Sequence, residues 1–202
     1  MLDPAPAINV LTIGSIARFD QTFTSQNYSN SIEHIPIARP NQPSPFTRHG
    51  PSVNGAIKPE IVTYGGNWAL HARATGHPFP GGLGEISTSI NFARGQLFQQ
   101  DCGTSYAAPN ITHIATKVLT KIPDANPNLI RALLVAHCRH PQACKGLFQG
   151  SSDLNRICGY GQIQETGLLS STENEVTLFT EASIPDKYHH FIRNSNPRGF
   201  LQ

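Results

Sequence analysis

The apolar positions of this chain fall into short runs that are separated by long polar stretches. Residues Ile8–Ile16 are mostly apolar and rich in β-branched side chains, which predicts a buried strand. Residues Lys58–Gly66 predict a second short strand that ends in a Gly-Gly turn. Residues 20–55 are polar and rich in proline, so we expect long surface loops between the two strands. Residues 68–84 predict a further loop.

The second half of the chain has the periodicity of helices. Apolar residues recur every three or four positions over residues 105–122, which predicts a largely buried helix. A second helix is predicted over roughly residues 127–138. Residues 150–161 are bounded by glycines and predict a turn region, whereas the alternation of residues 175–181 predicts a strand.

Composition and charge narrow the function classes. The chain has 202 residues, enough for one domain, and its 17 glycines, 16 prolines and 14% charged residues indicate a loop-rich globular protein. The formal net charge is only +2 and no run of Lys or Arg occurs, which argues against a nucleic-acid partner. No apolar stretch approaches the roughly 20 residues of a membrane span, so no membrane partner is expected.

The four cysteines and the N-terminal residues indicate the cellular compartment in which the protein is expected. Four cysteines do not form a dense disulfide framework, which favours reduced thiols in a cytoplasmic protein. The first residues have neither a basic nor an apolar signal region, so no signal peptide is predicted. His137, Cys138, His140 and Cys144 could be drawn as a zinc site, but their spacing fits no common zinc template. We therefore predict no metal and no cofactor.

The segment Gly103–Pro109, with the sequence GTSYAAP, is the candidate for chemistry. A nucleophilic serine such as Ser105 belongs at the start of a helix, where unpaired N–H groups favour a developing negative charge. Gly103 leaves room for a substrate backbone, small residues such as Ala107 let the helix bury, and Pro109 is expected near the helix start. A structural helix start with a serine cap would have a similar sequence.

This segment resembles the Gly-Thr-Ser-x-Ala-x-Pro signature around the nucleophile of subtilisin-like serine proteases, the subtilases. Gly103, Thr104, Ser105, Ala107 and Pro109 match its fixed positions. Further segments resemble other family elements in the same order. They are Asn9–Ser15 (a family strand), Ser44–Pro51 (the Ser-x-Phe-Ser-x-x-Gly-Pro loop), Ile57–Val62 with Gly65–Gly66 (the Lys-Pro-Asp strand and its turn), Asn128–Val135 (a helix) and Gly159–Gly161.

The resemblance implies a fold and an activity. The expected fold is α/β: a doubly wound, mainly parallel sheet of the subtilisin type, incomplete at its N-terminal side. The expected activity is that of a serine endopeptidase acting on peptide or protein substrates. Ser105 would be the nucleophile, and its backbone N–H would be one donor of the oxyanion hole. Residues 1–170 would be the C-terminal part of the peptidase domain, and residues 171–202 the start of a following β element or a disordered tail.

The catalytic partners of the serine are not matched in this chain. In the family the Asp, the His and the oxyanion Asn precede the strand that Asn9–Ser15 resembles. His34, His49, His71 and His77 precede Ser105, but none has the His-Gly-Thr context of the family, and neither Asp3 nor Asp20 has the context of the catalytic aspartate. We therefore assign no catalytic His or Asp. A separate or fused N-terminal half would supply them; alternatively, the chain is an inactive, truncated remnant that only folds or binds.

A hydrolase of another fold is the third possibility. The chain has no Gly-x-Ser-x-Gly motif and no Ser-Asp-His order around Ser105, which argues against the α/β-hydrolases. One departure from the family concerns packing: His113 occupies a position where the family helix usually has glycine. We expect it to crowd the close packing of that helix.

Overall fold

The computed structural model describes residues 3–23, 34–71, 81–148, 150–170, 176–186 and 189. These residues form eight short strands and five α-helices. The strands are β1 (Ile13–Ile16), β2 (His34–Pro36), β3 (Ile61–Tyr64), β4 (Ala69–His71), β5 (Glu85–Thr88), β6 (Phe98–Asp101), β7 (Cys138–Arg139) and β8 (Gln162–Ile163). The helices are α1 (Thr104–Lys121), α2 (Pro127–Ala136), α3 (Gln142–Leu147), α4 (Ser151–Cys158) and α5 (Glu165–Leu169).

The centre of the fold is the parallel pair of β1 and β3, in which Ile13 lies beside Ile61. Side chains that are adjacent along β3 point to opposite faces, as they must in a strand. Ile61 belongs to a core cluster with α1, α2 and α5, whereas Val62 belongs to a cluster with α3 and α4. Helices therefore cover this strand pair on both faces.

A buried ion pair connects the segment before β1 to the segment before β3. Lys58 is only 2% exposed, and its Nζ lies 2.5 Å from Oε1 of Glu60. The same ammonium donates to the carbonyl of Val10, and Oε2 of Glu60 accepts from the backbone N–H of Thr12 at 2.8 Å. Both charges thus have polar partners, as buried charges require. The pair fixes the segment before β1 against the segment before β3.

The two helices predicted after the serine motif are confirmed. Helix α1 extends over Thr104–Lys121 and α2 over Pro127–Ala136, each within two residues of the prediction. Helix α1 buries Ala107, Ile111, Ile114 and Val118. The side chain of Asn126 caps α2 by accepting from the N–H of Leu129 at 2.9 Å. A proline at the first position of α2 suits a helix start, because no N–H is needed there.

Other predictions from the pattern are wrong, and the predicted loops 20–55 and 68–84 contain the short strands β2 and β4. The first strand begins at Ile13, because residues before it form turns and Ile8 is 76% exposed. The predicted turn region 150–161 contains helix α4, which buries Leu154 and Cys158 one helical turn apart. Residues 176–181, the described part of the predicted strand, form no strand: Thr177 bonds to His137 and Gly167 through its side chain.

The sheet topology agrees in part with the expected fold. An α/β fold is present, with strands and helices interleaved along the chain. Within the described residues only β1 and β3 are parallel, and the pairs β2–β4, β5–β6 and β7–β8 are antiparallel. The doubly wound parallel sheet of the whole domain therefore stays a prediction. So does the division at residue 170; most of the residues after it lie outside the described ones.

Candidate active site

The candidate nucleophile lies where the turn after β3 meets the start of α1. The N–H of Gly103 donates to the carbonyl of Gly65 at 2.8 Å. A Cβ atom on Gly65 would lie 2.5 Å from Oγ of Ser15 and 2.7 Å from the carbonyl oxygen of Gly103. Such distances are shorter than any packed contact, so only glycine allows this approach. The Gly-Gly turn predicted from the sequence is therefore the support on which the serine segment rests.

Ser105 is the second residue of α1, and its side chain is exposed. The N-cap residue is Gly103, which has no side chain to cap the helix. The serine-cap alternative is thus wrong, since Ser105 lies inside the helix. The N–H of Tyr106 donates to the carbonyl of Gly103 at 3.0 Å, whereas helix geometry gives the N–H groups of Thr104 and Ser105 no partner in the helix. These two donors and the helix dipole favour an anion there.

The structure places the other motif residues as follows. Ala107 is fully buried beneath the first turn of α1, as the motif predicts for a small residue. Pro109 is the sixth residue of the helix, one turn further in than expected. Because proline has no N–H, the carbonyl of Ser105 lacks the donor that it would accept from at that position. The carbonyl group without a helical donor therefore belongs to the candidate nucleophile itself.

Buried hydroxyl groups hold the Gly-Gly turn from behind. Oγ of Ser15 and Oγ of Ser44 are 2.7 Å apart, and Ser44 donates to the carbonyl of Gly66 at 2.6 Å. The N–H of Ser15 donates to Oγ1 of Thr47 at 2.9 Å. Neither serine was a candidate in the sequence analysis. The available signal was the position of Ser15 in the predicted strand and of Ser44 at the start of the Ser-x-Phe loop.

A second set of contacts fixes the strand that leads into the serine. Nε1 of Trp68 donates to Sγ of Cys102 at 3.0 Å, and the hydroxyl of Tyr106 donates to Oδ2 of Asp101 at 3.1 Å. Burial raises the pKa of Cys102, the indole N–H of Trp68 lowers it, and the charge of Asp101 raises it again. The net direction is upward, so Cys102 is a thiol at neutral pH. It is a packed residue rather than a second nucleophile.

Several of the described histidines have contacts of their own. His49 bonds to the carbonyl of Gly50, His137 to that of Leu133, and His140 to that of Gly159. The rings of His34 and His71 contact each other edge to face at 5.5 Å. Neither a histidine nor a carboxylate among the described residues hydrogen-bonds to the Ser105 side chain. His77 lies outside those residues, as do Tyr188 and His190 of the tail.

The expected crowding at His113 is wrong. Its side chain is exposed and lines a surface cavity of about 230 Å³ with Arg18, Tyr64, Asn110 and Glu165. The imidazole is exposed at this cavity, so it does not occupy close-packed space. Asn110 in the same cavity donates to the carbonyls of Tyr64 and Tyr106, and so joins α1 to the end of β3.

Neither a metal centre nor a membrane span is found in the described part of the chain. No three His, Cys, Asp or Glu side chains there converge to hold an ion. The side chains of His137, Cys138, His140 and Cys144 do not converge in this way. Within the same residues, none of the helices has the length and apolar character to cross a bilayer.

Comparison with known proteins defines the family. The sequence profile of the subtilase family matches residues 1–161 of this chain, four fifths of its length. The chain belongs to the subtilase family, and its domain is serine-protease-like.

Two individual proteins are similar to the chain. The uncharacterized protein y4bN of Sinorhizobium fredii (strain NBRC 101917 / NGR234) is 36% identical over 207 aligned residues, which cover 100% of this chain and 47% of that protein. The chain thus spans about half the length of this curated relative. A solved structure described as proteases from Pseudoalteromonas arctica PAMC 21717 aligns with a TM-score of 0.46 and 16% identity, over 81% of this chain and 36% of that one.

Proposed function

We propose that this chain is the nucleophile-bearing part of a subtilisin-type serine endopeptidase, with Ser105 as the attacking residue. The observation that carries the proposal is the exposed Oγ of Ser105 at an uncapped helix start, where no described residue hydrogen-bonds to it. The serine lies within a family motif, and its exposed hydroxyl group is accessible to a substrate. A serine side chain can bond to the neighbouring backbone and so take a structural role, and no such bond is found for Ser105 in the described structure.

The proposed chemistry is acyl transfer. Oγ of Ser105 attacks the carbonyl carbon of a peptide bond, its proton passes to a base, and the amine of the cleaved bond leaves with that proton. The N–H of Ser105, pointing away from the helix, would donate to the oxygen that becomes negative. Water then releases the peptide acid from Ser105. Gly103 leaves space for the substrate backbone beside this oxygen.

The base is proposed to come from outside the chain. The proposed doubly wound sheet would be completed by an N-terminal half that brings the Asp, the His and the oxyanion Asn. Serine without an adjacent base is a weak nucleophile, and one missing oxyanion donor alone lowers kcat by about 10²–10³-fold, a magnitude known from subtilisin itself. The chain alone is therefore expected to have little peptidase activity.

A fluorophosphonate probe tests both parts of the proposal. The probe bonds to an activated serine and releases fluoride, so labelling measures activation rather than substrate choice. We expect no labelling of the chain alone. We expect labelling after addition of the part of the y4bN protein that does not align with this chain. The variant Ser105→Ala should abolish that labelling. Ser170→Ala, which removes a hydroxyl that bonds to the carbonyl of Thr166 in α5, should leave it unchanged.

The second candidate function is a folded but inactive module. The absence of a His or carboxylate partner for Ser105 among the described residues favours it. Lack of labelling with every added half, together with a cooperative unfolding transition, would support this alternative and overturn the first. Labelling that persists in Ser105→Ala would place the nucleophile elsewhere.

A further inference from the structure

The cysteines Cys144 and Cys158 form a buried pair away from the serine. Cys144 lies in α3 and Cys158 is the last residue of α4, and both are fully buried in the core cluster that covers one face of β1 and β3. Helices α3 and α4 pack against each other, and both thiols belong to one cluster of five buried residues. The proposed peptidase reaction uses neither of them. A disulfide between two cysteines requires their Cα atoms to lie within about 7 Å of each other.

We propose that Cys144 and Cys158 are an oxidation site, at which a small hydroperoxide converts the two thiols into a disulfide that links α3 to α4. The reaction balances as two thiols and one hydrogen peroxide giving one disulfide and two waters. First, the Cys144 sulfur attacks a peroxide oxygen, the O–O bond breaks, and a sulfenic acid and water form. The Cys158 sulfur then attacks the Cys144 sulfur, and the hydroxyl leaves as a second water.

The surroundings of the two thiols indicate which sulfur atom reacts first. Sγ of Cys144 donates to the carbonyl of Asn41 at 3.0 Å. The hydrogen bond from Cys158 lowers the pKa of Cys144, against the opposing effect of burial. The pKa of Cys158 is raised, first by that same hydrogen bond and then by burial. Cys144 is therefore the thiol that ionises and attacks, and Cys158 resolves the intermediate.

The other two cysteines lack such a partner. Sγ of Cys138 donates to the carbonyl of Leu134, and burial raises its pKa to about 12. Cys102 accepts from Trp68 and is a thiol at neutral pH. Neither contacts a second sulfur in the described residues. They serve as internal controls.

Oxidation would change the contacts around Asn41 as well as join two helices. A disulfide has no S–H, so the carbonyl of Asn41 would lose its donor from Cys144. The side chain of Asn41 accepts from the hydroxyl of Tyr64, at the end of β3. The new covalent link would close a short loop and restrict the unfolded chain. We expect the midpoint of thermal unfolding to rise by roughly 5 °C in the oxidised chain.

Peptide mapping tests the proposal directly, because trypsin places the four cysteines on different peptides. Cys144 lies on peptide 140–145 and Cys158 on peptide 157–187. The native chain is treated with hydrogen peroxide, quenched with catalase, alkylated under denaturing conditions and digested without reductant. We expect the linked pair 140–145 with 157–187, and alkylated Cys138. The same treatment in guanidinium should give mixed pairings, since native proximity is then lost.

Variants separate the two steps. In Cys158→Ser the sulfenic acid on Cys144 should persist and react with dimedone, whereas Cys144→Ser should give no dimedone adduct on Cys158. Cys102→Ser should leave the cross-link unchanged. If Cys144 and Cys158 are both alkylated in the native chain after peroxide, the proposal is overturned. A cross-link that involves Cys102 or Cys138 in the native chain overturns it equally. Neither result bears on Ser105, so the proposed function is tested separately.

Discussion

At the scale of single residues, the site depends on positions where only one side chain fits. Gly65 is the clearest case, because a Cβ atom there would lie within 2.7 Å of oxygen atoms of Ser15 and Gly103. The family resemblance correctly pointed to the Gly-Gly turn. It could not indicate Ser15 and Ser44, since their role arises only when residues far apart in the sequence are brought together around the turn.

Gly65→Ala should lower the free energy of unfolding by about 1–3 kcal/mol, because the added methyl group overpacks a rigid contact. Urea unfolding measures this. Gly146→Ala is the matched control: nothing lies within 4 Å of a Cβ there, and alanine favours a helix. Equal stability of Gly65→Ala and the wild type would mean that the turn and the serine segment are not packed as described.

The buried pair of Lys58 and Glu60 gives a second prediction. Lys58→Met alone leaves a carboxylate in the core without its cation, and should lower the free energy of unfolding by about 3–5 kcal/mol. The double variant Lys58→Met/Glu60→Gln removes both charges and should recover part of that loss. Urea unfolding of the two variants gives the comparison. A double variant no more stable than Lys58→Met would contradict the pairing.

At the scale of elements, helices were predicted better than strands. Helices α1 and α2 each bury one face, so their apolar spacing shows in the sequence. Helix α4 was missed because few of its eight residues are buried. The hairpin of β5 and β6 was also missed; Ile86 and Phe98 are exposed there, so no alternation marks it. Tertiary contacts, not local pattern, decide such short elements.

Helix α2 offers a test at this scale. Asn126→Ala removes the side-chain oxygen that accepts from Leu129 and should lower the free energy of unfolding by about 1 kcal/mol. Asn126→Asp retains an acceptor and should differ little from the wild type. Thermal or urea unfolding of the three chains makes the measurement. Loss of stability in Asn126→Asp equal to that in Asn126→Ala would show that the side-chain acceptor is not what stabilises this helix start.

At the scale of the whole molecule, buried thiols link stability to pH. Burial raises the pKa of Cys138 from the ordinary 9.0 to about 12, so the folded state favours the protonated thiol. The resulting stability is fully present below pH 9 and is lost as the pH rises from about 9 towards 12. Its slope is about 1.4 kcal/mol per pH unit for one thiol. Cys138→Ala should make the slope of stability against pH shallower by close to that amount between about pH 10 and pH 11 in urea unfolding. An unchanged slope would contradict the assignment.

The pairing of Ile13 with Ile61 has a consequence for the time course of folding. These partners are 48 positions apart, so a large loop must close before β1 and β3 can meet. The local helices and the β5–β6 hairpin need no such search and form on much shorter timescales. Until the loop closes, the faces of α1 and α3 that cover the strands stay in water. The interval before that closure is when a newly synthesised chain is most open to association with its neighbours.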